Sequence, residues 1–65
     1  MNVVVNGTAH ELDATTTVAD VLALVGAPER GVAVAVDDAV RPRGRWSETL
    51  TDGARVEVLT AVQGG

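Results

Sequence analysis

The chain contains no cysteine, no lysine and only one aromatic residue, Trp46. Without a thiol, it has no cysteine nucleophile, no side chain to carry a persulfide and no thiolate to bind a soft metal. Disulfides are excluded, and so is a zinc site of the usual ligands, because His10 is the only histidine. The core of this 65-residue chain must therefore consist of aliphatic side chains, and a hydrophobic content of 46% can supply it.

Positive charge is scarce as well. Five arginines stand against nine acidic residues, which gives a net charge of -4 at pH 7. Because phosphate binding requires a basic surface, we expect no nucleic acid among the partners. The absence of lysine also excludes isopeptide-linked chains built on this protein's own side chains.

Long hydrophobic runs and a secretory signal are absent too. The longest apolar stretches, such as residues 32–36, are far too short to span a bilayer. The first residues lack the basic and apolar regions of a signal peptide. We therefore expect a cytoplasmic protein with no membrane partner.

The first part of the chain predicts a β-hairpin followed by a helix. Three β-branched valines, residues 3–5, favour a strand, and Asn6-Gly7 is a strong signal for a type I′ turn before a returning strand at residues 8–12. Thr17 then suits a helix N-cap, with Asp20 three residues later. The apolar spacing predicts one buried helix face, made of Val18, Val21, Leu22 and Val25, before Gly26 and Pro28 end the helix.

The second part predicts three more strands. Residues 32–36 alternate valine and alanine, so the valines should share one face. Asp37-Asp38 is typical of a turn, Val40 begins a short return, and Pro42 ends it. Residues 41–47 read as irregular surface chain.

After the Asp52-Gly53 turn, residues 55–62 form the last strand, with Val56 and Val58 on one face and Glu57 and Leu59 on the other. One amphipathic helix can cover only one face of such a sheet, which gives a two-layer α+β domain. We expect a mixed sheet of four to five strands, with the first and last strands paired at its centre. The domain comprises residues 1–62, and residues 63–65 form a flexible C-terminal tail.

Several residues occur in a telling order and spacing: Thr17-Val18, Val40-Arg41-Pro42-Arg43, Trp46, Leu50, Asp52, Gly53, Val56, Val58 and Gly64-Gly65. With them the chain resembles, over essentially its whole length, the ThiS family of sulfur carriers, which has the ubiquitin-like β-grasp fold of the ThiS/MoaD superfamily. Two positions depart from the family pattern. Ala54 stands where an acidic residue is frequent, and Gln63 stands where a small residue is common.

The terminal glycines suit the chemistry of such a carrier. A free α-carboxylate is a poor electrophile, and it can be activated as an acyl-adenylate inside an enzyme's nucleotide site. Gly64 and Gly65 have no side chain that would obstruct a narrow channel. Gln63 or Val62 would then lie at the channel mouth, so we expect the tail to insert through Gln63 and Gly64 and to react at Gly65.

The resemblance implies a protein cosubstrate rather than an enzyme, with no catalytic residue, no metal and no bound cofactor. An E1-like adenylyltransferase (ThiF/MoeB type), which uses ATP, would adenylate Gly65. Persulfide sulfur from a donor such as a cysteine desulfurase or a rhodanese would replace AMP and leave a thiocarboxylate. Thiazole synthase (ThiG type) would accept this sulfur to build the thiazole ring of thiamine.

Other residues allow more than one interpretation. Val4, Leu59 and Ala61 should lie on the sheet face opposite the helix, where they either dock the partner enzymes or form ordinary surface. Trp46 should cover the small core. The arginines at positions 41, 43 and 45 read as a solvated loop or a partner contact, and His10 has no companion ligands for a metal.

Three alternative functions remain open at this point. A MoaD-like small subunit of molybdopterin synthase shares the fold, the tail and the mechanism. A ubiquitin-like modifier would join Gly65 to target lysines and so form covalent adducts. A regulatory β-grasp binding module would need no Gly65 at all.

Overall fold

A computed structural model of the protein describes residues 1–28 and 30–60. It contains five strands, β1 to β5, one α-helix, α1, and one 3-10 helix. In chain order these are β1 Asn2–Val5, β2 Thr8–Glu11, α1 Val18–Leu24, β3 Val32–Val36, β4 Ala39–Val40, the 3-10 helix Arg43–Arg45 and β5 Arg55–Thr60. No helix within these residues is long and apolar enough to cross a membrane.

The strands form one mixed sheet in the order β2-β1-β5-β3-β4. At its centre β1 and β5 run parallel, with Val4 opposite Arg55 and Val5 opposite Val56. The other neighbouring strands are antiparallel. The predicted central pairing of the first and last strands is confirmed, and the architecture is that of a β-grasp domain.

The core lies between the sheet and α1. Because side chains alternate along a strand, β1, β3 and β5 each send two valines to this side. The buried apolar residues are Val3, Val5, Val18, Val21, Leu22, Val34, Val36, Leu50, Ala54, Val56 and Val58. Each large one contributes about 1.5–3 kcal/mol relative to an exposed position. The predicted valine faces of β3 and β5 are therefore confirmed.

The helix begins as predicted, but its buried face is shorter than predicted. Thr17 Oγ1 accepts from the Asp20 N–H at 3.2 Å, and Asp20 Oδ2 accepts from the Thr17 N–H at 3.0 Å, which completes a capping box. The prediction that Val25 belongs to the buried face was wrong. Val25 is the C-cap and 42% exposed, because Gly26 takes a φ of 69° and turns the chain away.

Both predicted hairpin turns form with left-handed backbone at their two central positions. The φ angles are 48° at Asn6 and 83° at Gly7, and 51° at Asp37 and 70° at Asp38. The loop after β4 differs from the prediction, because residues 43–45 form a 3-10 helix instead of irregular chain. Pro42 precedes this helix in an extended conformation, with a φ of -64°.

Candidate functional site

The candidate site is the C-terminal end of β5 with the sheet surface around it. β5 lies between β1 and β3, and its last described residue is Thr60. The predicted site residues Ala61, Gln63, Gly64 and Gly65 lie outside the described residues. What the structure defines is the strand that leads to them and the groups that hold it.

On the β1 side, Asn6 holds β5 with both its backbone and its side chain. The Val4 N–H donates to the Ala54 carbonyl at 2.9 Å, and the Asn6 N–H donates to the Val56 carbonyl at 2.9 Å. The Asn6 carboxamide then takes the next position in the ladder. Its Oδ1 accepts from the Val58 N–H at 2.8 Å, and its Nδ2 donates to the Val58 carbonyl at 3.3 Å.

On the β3 side, Asp37 holds the other end of β5 in a similar way. The Asp37 N–H donates to the Arg55 carbonyl at 2.8 Å, and Asp37 Oδ1 accepts from the Arg55 N–H at 2.9 Å. The Arg55 guanidinium also reaches Asp38 Oδ2 at 2.8 Å. The first residue of each hairpin turn therefore anchors the central strand, Asp37 at Arg55 and Asn6 at Val56 and Val58.

The sheet face opposite α1 carries an apolar surface near the end of β5. Leu59 is 66% exposed and lies opposite Ala33, while Val40 is 79% exposed and lies opposite Ala35. We call the surface formed by Ala33, Ala35, Val40 and Leu59 the outer patch. Glu57, also opposite Ala35, places one negative charge at the margin of this patch that faces β1.

Val4 and Leu59, two of the predicted docking residues, share this face without forming one contiguous cluster. Val4 is half-buried and lies between Ala9 of β2 and Arg55 of β5. Arg55 precedes Leu59 by four positions, which corresponds to about 13 Å along a strand. Val40 lies on the same face as Leu59, although the sequence analysis did not include it among the docking residues. The sequence did contain a signal for it: Ala35 was expected to face outward, and the return strand that pairs with Ala35 brings Val40 to the same face.

The positive charge of the cluster of arginines at positions 41, 43 and 45 is partly neutralised by Glu48, which follows it in the same loop. Arg45 forms a bidentate pair with Glu48, with Nε to Oε2 at 2.8 Å and NH2 to Oε1 at 2.9 Å. Arg41 NH1 lies 3.7 Å from the same carboxylate. The hydrogen bond from Arg45 holds the pKa of Glu48 below its usual value, with smaller contributions from the charges of both arginines. These contacts indicate a structured loop rather than a surface for phosphate groups.

Trp46 packs against the core, as predicted. Its indole Nε1 donates to the Arg41 carbonyl at 2.9 Å, and its own carbonyl accepts from the Ala19 N–H of α1 at 3.0 Å. The Arg43 guanidinium lies 4.8 Å from the ring centroid, within cation–π range. A groove of about 430 Å³ between Trp46 and Leu22 opens on the helical side of the domain, away from the outer patch.

His10 lies on β2 opposite Val3 and is half-buried. Within residues 1–28 and 30–60, no group of three or more histidine, cysteine, aspartate or glutamate side chains could hold a metal ion. In that part of the chain, the structure therefore places no set of further ligands beside His10 that would complete a metal site.

Comparison with known proteins gives one consistent result. The family model described as ThiS family matches residues 3–65. The crystal structure of the thiamine biosynthesis protein ThiS from Geobacter metallireducens is 29% identical, with a TM-score of 0.76 and coverage of 100% of both chains. An NMR solution structure of a thiamine biosynthesis protein from that organism is also 29% identical, with a TM-score of 0.76 and coverage of 100% of this chain and 88% of the other. No curated protein matches.

The family model spans nearly the whole chain, and both solved structures share the fold of the described residues. The resemblance first indicated by the order of Trp46, the Asp52-Gly53 turn and the terminal glycines is thereby confirmed. The chain belongs to the ThiS family.

Proposed function

We propose that this protein is a sulfur carrier of thiamine biosynthesis whose working group is the carboxylate of Gly65. The observation that carries the proposal is the family match over residues 3–65, because it includes the terminal Gly64-Gly65 pair. The names of the two similar structures, both thiamine biosynthesis proteins, favour the thiazole branch over the molybdopterin branch.

The chemistry proposed for Gly65 starts with its activation. A carboxylate oxygen attacks the α-phosphorus of ATP in an E1-like adenylyltransferase, and pyrophosphate leaves. The terminal sulfur of a partner's persulfide then attacks the acyl carbon and displaces AMP. A thiol of the partner breaks the remaining S–S bond, which leaves a thiocarboxylate on Gly65 and a disulfide on the partner.

The composition of the chain supports a carrier rather than an enzyme. It contains no cysteine, so the persulfide and the reducing thiol must both come from partners. Its single histidine, His10, lies on β2, at one edge of the sheet, whereas β5 is the central strand. Gly65 contributes the acceptor carboxylate, while ATP and the activating groups belong to the adenylyltransferase. Thiazole synthase would then receive the sulfur.

The outer patch provides a docking surface for these enzymes in this proposal. Leu59 and Val40 are large, apolar and mostly exposed, although leucine and valine are among the residue types most often buried. Leu59 lies one residue before Thr60, on the strand that leads to the tail. A partner that covers Leu59 would therefore hold the domain close to the point where the tail begins. Val4 and Ala61 complete the docking residues of the proposal.

Intact-mass spectrometry tests the sulfur chemistry directly. The chain is incubated with a ThiF/MoeB-type adenylyltransferase, ATP, a cysteine desulfurase and cysteine, and its mass is compared before and after. We expect a gain equal to the exchange of one oxygen for sulfur, and fragmentation should place it on Gly65. A matched control carries one alanine appended after Gly65, and it should remain unmodified.

Two results would contradict the proposal. An unchanged mass under these conditions would show that Gly65 is not loaded with sulfur. Covalent adducts between Gly65 and lysines of other proteins, without a thiocarboxylate, would instead identify a ubiquitin-like modifier.

A further inference from the structure

β5 is paired over more of its length on its β3 side than on its β1 side. On the β3 side the ladder continues to its last described residue, with Val32 opposite Thr60. On the other side β1 ends at Val5, and the chain turns back into β2 at Asn6 and Gly7. Within residues 1–28 and 30–60, the Asn6 carboxamide is the last group of β1 and its turn that bonds to the backbone of β5.

The carboxamide replaces one residue of a strand. A parallel neighbour would offer one acceptor to the Val58 N–H and one donor to the Val58 carbonyl, and the Asn6 amide offers both. Without this side chain, the hold on the β1 side would stop at the bond between the Asn6 N–H and the Val56 carbonyl. The Asn6 side chain therefore extends the hydrogen bonding on the β1 side of β5 from Val56 to Val58.

We infer that Asn6 is a positioning residue for the reaction at Gly65. This inference rests on the proposed function. By holding Val58, Asn6 keeps β5 bonded on both sides two residues further toward its end, and a strand that is bonded on one side only opens more readily. Each residue whose backbone is already fixed lowers the entropy that the activating enzyme must remove when it binds the terminus. Asn6 thus raises the fraction of chains in which the end of β5 has the direction that the activating enzyme binds.

The left-handed backbone of Asn6 allows a clean test. Asn6→Gly removes both side-chain bonds to Val58 and keeps a residue that tolerates the φ of 48°. Asp37→Gly is the matched control. It also replaces the first residue of a hairpin turn at positive φ, and it removes a side-chain bond to the other end of β5, at Arg55.

The experiment measures ATP–pyrophosphate exchange by the adenylyltransferase as a function of carrier concentration, for the wild type and both variants. Amide hydrogen exchange first verifies the local effects: Asn6→Gly should accelerate exchange at Val58, and Asp37→Gly at Arg55. Thermal unfolding verifies that each variant is folded at the assay temperature. For Asn6→Gly we expect KM to rise about three- to tenfold with kcat unchanged, since only the binding-competent fraction falls. For Asp37→Gly we expect both constants to equal those of the wild type.

An equal KM for Asn6→Gly and the wild type, or the same rise in both variants, would overturn the positioning role while leaving the proposed function intact. A fall in kcat at unchanged KM would overturn it as well. A wild-type chain that supports no exchange at all would overturn the proposed function, and this inference with it.

Discussion

The backbone of Asn2 is bonded in both directions to the turn that precedes β5. Its N–H donates to Asp52 Oδ1 at 2.7 Å, and its carbonyl accepts from the Gly53 N–H at 2.7 Å. Residues that are 50 positions apart in the chain thereby bring the beginning of β1 next to the beginning of β5. Asp52 is thus more than a turn former, because its carboxylate fixes the start of the central parallel pair.

Replacement of Asp52 by alanine should lower the free energy of unfolding by about 1 kcal/mol, the net value of one hydrogen bond. Asp52→Asn keeps an acceptor oxygen and should lose less. Urea unfolding monitored by circular dichroism measures both values. Equal stability of Asp52→Ala and the wild type would show that the bond to Asn2 contributes nothing.

Trp46 combines apolar packing with a hydrogen bond, and two substitutions separate them. Trp46→Phe keeps most of the contact with the core and loses the bond to the Arg41 carbonyl, so we expect a loss of about 1 kcal/mol. Trp46→Ala also removes the packed ring and should cost roughly 3 kcal/mol or more. Circular dichroism follows unfolding, because Trp46 is the only fluorescent tryptophan. Similar losses in both variants would assign the whole effect to the hydrogen bond.

The pair between Arg45 and Glu48 makes a small part of the stability depend on pH. Because the folded state lowers the pKa of Glu48, the pair stabilises the protein above the unfolded pKa, and this contribution disappears as pH falls through the lower folded pKa. Arg45→Gln should return the pKa of Glu48 toward its ordinary value, and Arg41→Gln should shift it less. An NMR titration of the Glu48 side chain measures each pKa. An ordinary pKa in the wild-type protein would contradict the pairing.

Leu59 should contribute to binding without contributing to stability. Leu59→Gln in the outer patch should weaken binding to the adenylyltransferase about ten- to hundredfold, since one large apolar side chain is worth roughly 1.5–3 kcal/mol when it is covered. Leu24→Gln is the matched control, because Leu24 is 51% exposed and belongs to α1. Isothermal titration calorimetry gives both affinities. Wild-type affinity for Leu59→Gln would remove the outer patch from the interface.

Local signals predicted much of this fold. The Asn6-Gly7 and Asp37-Asp38 turns and the capping box of Thr17 and Asp20 each depend on neighbouring residues, and each is confirmed. Val25 shows where local signals compete. Its spacing places it on the apolar face, whereas Gly26 ends the helix before it.

The less predictable features depend on contacts that are distant in the chain. The bond between Asn6 and Val58 joins residues 52 positions apart, and no motif in either segment predicts it. The 3-10 helix at residues 43–45 precedes Trp46, whose indole bonds back to Arg41. Among the candidate site residues, Val4 and Leu59 share the predicted face. Gly65, Gly64, Gln63 and Ala61 remain sequence-based predictions, because they lie outside the described residues.

The strand order has a consequence for how the protein is made. The hairpin of β1 and β2 and the hairpin of β3 and β4 can each form from nearby residues, yet in the sheet they meet only through β5. A ribosome delivers β5 after all other strands, so a nascent chain that stops before Arg55 holds two hairpins with no common neighbour. Cooperative folding must then wait until β5 itself has been synthesised. The same dependence should make removal of β5 by a protease abolish the whole sheet at once.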